Sequence, residues 1–159
     1  MIPNANLADI VLIVTAAVLF YAAVNDLKHY KIGNELIALL IGLFVLHTLA
    51  SDRWALAAQH LALASAVFAL LIYFYSRQWM GGGDVKLLAV AFLWTGIECA
   101  LPFAMLLFLF VSLHAIAARF GWVGSQKIDH DDRPRVAFAP AVAAALIGTF
   151  LFGCLRLAA

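Results

Sequence analysis

Long apolar runs alternate with short polar breaks along the chain. The runs cover about 7–24, 35–50, 54–75, 85–97, 99–118 and 136–155. Crossing a hydrocarbon core as a helix takes roughly 20 apolar residues. The runs are continuous, whereas membrane strands would alternate every second residue. The pattern predicts an all-α membrane protein, six transmembrane helices in a single polytopic domain over 1–159. The fourth run is short. At 1.5 Å per residue its 13 or so residues reach only about 20 Å, so tilt, local thinning or shielding by neighbours is expected. Thr95-Gly96-Ile97-Glu98 reads as a turn, and Pro102 falls in the first turn of the fifth helix. In the first polar loop, 25–34, Asn34 is the expected N-cap of the second helix, with Glu35 in its first turn.

Composition sharpens the class. The chain is 66% hydrophobic and 12% charged, with mean hydropathy +1.01. Soluble domains average about 45–50% and 25%. Net charge is +1, with no basic run, so no nucleic-acid partner is expected. No zinc spacing or P-loop occurs. The first run lacks a basic n-region and a small-residue cleavage site and carries Asp9, which predicts a retained helix. Trp54, Trp79, Trp94 and Trp122 fall near run boundaries, as an aromatic belt would.

Basic residues orient the chain. Lys28, Lys31, Arg77, Lys86, Arg119, Lys127, Arg133 and Arg135 follow the odd-numbered runs, and only Arg53 and Arg156 lie on the other side. Positive loops favour the cytoplasm, so the termini are expected outside and the loops carrying Asp26 and Asp84 inside.

The candidate chemistry gathers at Met80-Gly81-Gly82-Gly83-Asp84-Val85-Lys86 and at Asp26. Ionisable residues at membrane depth are costly and mark functional sites by default. Three glycines admit close approach of another backbone. Two adjacent carboxyls share one proton: one takes a proton from water while the other polarises a carbonyl. Asp26 ends the first run, at an electronegative helix terminus, and Asp84 begins the fourth, at an electropositive one. That favours Asp84 as base and Asp26 as acid. Lys86 in a first turn is unfavourable for the dipole. It either holds the pair's charge or a substrate carboxylate, or snorkels to the interface.

Other residues read more plainly. Asp129, Asp131 and Asp132 lack calcium-loop spacing and read as solvated. His47, His60 and His114 lie within helices, no two of them three or four apart, which suits packing or hydrogen bonding and not a shared metal. Cys99 and Cys154 fall toward the outer face, where a disulfide is conceivable. No metal or cofactor is expected.

These residues resemble the type IV prepilin peptidases, membrane aspartic proteases with a Gly-x-Gly-Asp motif. Gly81 to Ala89 resembles the family's second motif, and Asp26-Leu27-Lys28-His29-Tyr30-Lys31-Ile32-Gly33-Asn34 its first, with Lys28 for an arginine and Gly33 for a proline. Ala137-Phe138-Ala139-Pro140 followed by Gly148 resembles the start of the last helix. The resemblance implies catalytic Asp26 and Asp84, with Gly81, Gly82, Gly83, Lys86, Lys28 and Asn34 supporting or binding substrate. It further implies a short, peptidase-only form of the Flp or tight-adherence systems, without methyltransferase activity, in the bacterial inner membrane. Its substrate would be a prepilin or pseudopilin, cut at the cytoplasmic face, and the pilus-assembly machinery would be a further partner. The alternatives are a small proton- or cation-coupled transporter using the same acids, a presenilin-like intramembrane protease, and an inactive assembly scaffold.

Overall fold

The computed structural model describes residues 5–29, 32–51, 54–120, 126–128, 131–135 and 137–151. Its architecture is helical: α1 (Ala5–His29), α2 (Asn34–Ser51), α3 (Trp54–Ser76), α4 (Gly82–Arg119) and α5 (Ala139–Leu151). Two short strands, β1 (Gln126–Ile128) and β2 (Asp131–Arg135), pair antiparallel within the polar stretch after α4. The first four helices are long and apolar enough to cross a membrane. Their outward faces carry exposed side chains such as Ile13, Phe20, Leu61, Met105 and Phe108. So many large apolar groups on the outside suit lipid as the solvent.

Among the described residues five helices stand where six were expected, because the predicted fourth and fifth run on from one another as the two arms of α4, which meet at Gly96. Its backbone (φ 61°, ψ −172°) is not helical. On a straight helix, residues 11 apart are separated by about 16 Å. Yet the rings of Phe92 and Phe103 meet edge to face with centroids 5.1 Å apart. The chain therefore doubles back at Gly96, and the two arms, 82–95 and 97–119, lie side by side.

A buried bend leaves carbonyls without their partners one turn on, and each needs another donor. Here two of them are capped from the side. His60 Nδ1 of α3 donates to the Leu93 carbonyl at 2.8 Å, and Thr95 Oγ1 donates to Phe92 at 3.3 Å. Only glycine fits at the bend: its φ is in the left-handed region, and the His60 imidazole fills the space a Cβ would need. Trp94, placed in an aromatic belt by the sequence reading, is instead 0% exposed and donates Nε1–H to the Leu40 carbonyl at 3.2 Å. The reversal at Gly96 turns its indole into the core against Phe44 and Phe150. Trp54 and Trp79 are exposed, and Trp122 lies outside the described residues.

Helix α5 is the core. Ala139, Ala141, Val142, Ala143, Ala145, Leu146 and Thr149 are all buried, and small side chains let α1 and α4 pack closely on it. Hydroxyls inside the helices return to their own backbone, as Thr15 does to Val11 and Thr149 to Leu146.

Helix α3 ends in a Schellman cap. Gln78 takes a left-handed φ of 57°, Trp79 N–H donates to Phe74 and Gln78 N–H to Tyr75. The Trp79 ring stacks on Phe74 at 5.9 Å, the apolar contact such caps carry. The approach to the glycine run is thus a built turn.

Candidate active site

Asp26 lies inside α1, in its last turn, and not in a loop as the apolar pattern suggested. The helix continues through Lys28 and His29, whose basic side chains suit its electronegative end. Asp26 is 4% exposed, and its Oδ2 accepts the Ala139 N–H at 3.0 Å. The backbone of Phe138 also hydrogen bonds to it. At this start of α5, Ala141 and Val142 donate to the Phe138 carbonyl and Pro140 has no N–H. Asp26 therefore caps, from a different helix, the donor that α5 cannot satisfy itself.

Asp84 is the third residue of α4 and half-buried. Gly81 is the cap, since its carbonyl accepts Val85 N–H at 3.1 Å. The Asp84 carboxylate folds back over it, with Oδ2 3.0 Å from where a Gly81 Cβ would stand. An acid three residues past the cap is the arrangement of a capping box. The next two glycines serve other neighbours. A Cβ at Gly82 would meet the Tyr75 ring of α3 at 3.3 Å, and one at Gly83 would meet Ile32 at 3.3 Å. None of the three has a positive φ; they let the chain's own segments close around the start of α4.

Lys86 and Asn34 come together: Nζ donates to Oδ1 at 2.8 Å. Asn34 was the expected cap of α2, but the cap is Gly33, whose carbonyl accepts Leu36 and Ile37 N–H. The Asn34 side chain is taken by Lys86 from 52 positions away. Lys28 is exposed at the end of α1 and joins none of these contacts.

Both acids lie at the same end of the bundle. The far end of α5 meets the bend region, with Phe150 against Trp94 and Leu106 against a Cβ position on Gly148. The start of α5, and Asp26 with it, is thus one helix length from the bend, as is the start of α4. The starts of α4 and α5 therefore lie at the same end. Ile32, six residues after Asp26, packs on Gly83 beside Asp84.

The electrostatic asymmetry expected between the acids does not survive. Each carboxylate sits at a helix N-terminus: Asp84 within its own, Asp26 on that of α5. Helix poles therefore do not assign base and acid. Tyr75 is a site neighbour that the sequence reading missed, and Ile32, carried there as part of the first motif, was given no contact with the glycines. Gly83 beside the motif signals a close neighbour, but nothing local names Ile32.

The opposite end differs. A cavity of about 30 Å³ there is lined by Phe44, His47, His60, Trp94, Glu98 and Cys99 among others. Cys99 is disulfide-bonded, and the chain's only other cysteine, Cys154, lies outside the described residues, as does Asp129. Among the described residues no cluster of three His, Cys, Asp or Glu side chains could hold a metal ion.

Fold and site together define a membrane-embedded helical protein with two acids at one end. Residues 13–120 match the model of the type IV leader peptidase family, which spans more than half of the chain and both acid-bearing segments. The chain belongs to that family, and is a membrane protein of protease lineage. No curated protein and no solved structure matches it.

Proposed function

We propose that this chain is an aspartic endopeptidase that removes the leader of a Flp-type prepilin or pseudopilin at the cytoplasmic face of the inner membrane. The observation that carries the reading is the placement of Asp26 and Asp84, within the family match, at the same end of the bundle and each at a helix N-terminus. One carboxylate takes a proton from water, and the water oxygen bonds to the scissile carbonyl carbon. The protonated partner donates to the carbonyl oxygen. Collapse of that intermediate breaks the C–N bond, and the departing amine takes a proton. Helix N-termini hold negative charge in place at low dielectric. Gly81, Gly82, Gly83, Lys86 and Asn34 brace the two motifs against one another, and Lys28 faces outward toward substrate. A helical substrate hides its amides, so it must unwind locally to be cut.

Six crossings complete the topology, with the α4 arms counted separately and α5 the last. The disulfide at Cys99 supports the orientation. Disulfides persist in oxidising compartments, so the bend faces outward and the acids inward, in agreement with the basic loops. The transport alternative gains no support from a family of proteases.

The test is incubation of purified protein in liposomes with candidate Flp-type prepilins, followed by mapping of the product's new N-terminus. A cut between leader and apolar helix is expected. Intact prepilin, or a cut inside the apolar helix, would overturn the substrate assignment.

A further inference from the structure

Asp26 and Asp84 stand on helices that do not touch. Among the described residues no Cα of α1 lies within 8 Å of one on α4. Other elements span the gap: α5 and α2 each pack on both α1 and α4. On the α5 side, Asp26 is held by the Ala139 N–H at 3.0 Å. On the α2 side, the chain meets the start of α4 at two residues that follow α1. Ile32 lies 3.3 Å from where a Gly83 Cβ would stand, and Asn34 Oδ1 accepts from Lys86 Nζ at 2.8 Å. These contacts straddle Asp84, since Gly83 precedes it and Lys86 follows it by two positions. Residues two apart on a helix do not face each other, so Lys86 is not aimed at Asp84. Among the described residues its Nζ is hydrogen-bonded to Asn34 and to neither acid, and the bond is exposed.

We infer that Lys86 is a positioning residue, which through Asn34 holds the start of α2 against the start of α4 and so sets the spacing of Asp84 from Asp26. This rests on the proposed two-aspartate hydrolysis. The role differs from those the sequence left open for Lys86, a counter-charge to the acids or a ligand for a substrate carboxylate. It needs the hydrogen bond and not the charge. Acids carried on separate helices lose their alignment when a link between those helices slackens. A misplacement of about 1 Å costs on the order of 100-fold in rate. The loss falls on turnover, because no contact to the peptide is removed. It also falls apart from stability, because exposed substitutions change unfolding little.

The test measures kcat and KM for prepilin cleavage by Lys86→Met, Asn34→Ala and the two combined, beside wild type, with thermal unfolding of each in detergent. Each single variant is expected to lower kcat by roughly 10- to 100-fold, with KM within about two-fold. The double variant is expected to fall no further than either single, since both remove the same bond. A second pair isolates the bond from the charge. Lys86→Gln shortens one side chain by a bond, and Asn34→Gln lengthens its partner by one. Together they restore an uncharged hydrogen bond, and kcat is expected to recover about 10-fold over Lys86→Gln alone. A larger loss for Lys86→Met than for Asn34→Ala, a further loss in their double variant, a change carried by KM, or no recovery in the glutamine pair would overturn the assignment. So would losses that track the unfolding temperatures. Asp26→Asn and Asp84→Asn run in parallel separate the two claims. If they cleave normally, the two-aspartate reading fails; if they are inactive while Lys86→Met and Asn34→Ala match wild type, only the positioning role fails.

Discussion

The two ends of the bundle hold polar groups in opposite ways. At the Gly96 end, His60 answers Leu93 and Thr95 answers Phe92, so the polar atoms serve a bend that would otherwise leave buried carbonyls unpaired. At the other end, two carboxylates gather at helix N-termini, a lysine bridges two motifs, and the His114 Nε2 is without a partner among the described residues. Burial of polar groups alone therefore does not locate function. What separates the ends is closure: one set is satisfied by the fold itself, and the other retains charge and an unmet hydrogen bond.

That contrast predicts different failures. The largest effect on stability belongs to Gly96→Ala. A left-handed φ costs about 1–2 kcal/mol for a residue with a Cβ, and the collision with His60 adds to it. A strongly lowered unfolding temperature in detergent is expected, with activity falling only as the folded fraction falls. A stable but inactive Gly96→Ala would erase the distinction between the ends. His60→Leu comes next. It leaves the Leu93 carbonyl unpaired, at a cost of about 1–3 kcal/mol, measured by thermal unfolding, while kcat per folded molecule stays at the wild-type level. Smallest, and of opposite sign, is Gln78→Gly. Relief of a left-handed residue in the α3 cap is expected to stabilise by up to about 1 kcal/mol. If Gln78→Gly lowers cleavage while raising stability, the cap belongs to the active end and not merely to the scaffold.

The acids were legible because charge is rare in this chain and the glycine run marks one of them. The helices were legible from continuous apolar runs, and α2 and α3 begin and end within a residue of expectation. Three readings missed for one reason: a partner far along the chain took the group. Asn34 gives its side chain to Lys86 and leaves the cap to Gly33. Trp94 turns inward and gives its Nε1–H to the Leu40 carbonyl, 54 positions away. Asp26 gains an electropositive neighbour, the start of α5, 113 positions away. The break at Gly96 was visible as a turn, but not that the two arms would pack side by side.

The measurement that bears most directly on the paired acids is prepilin cleavage by Asp26→Asn and Asp84→Asn, with each variant's fold checked by thermal unfolding. Asparagine keeps a side-chain oxygen for the Ala139 N–H, so α5 stays capped while the charge is lost. Loss of at least about 1,000-fold in kcat/KM is predicted for both variants, since general acid–base groups contribute about 100- to 10,000-fold each. A folded variant of either aspartate that cleaves at near wild-type rate would contradict the account.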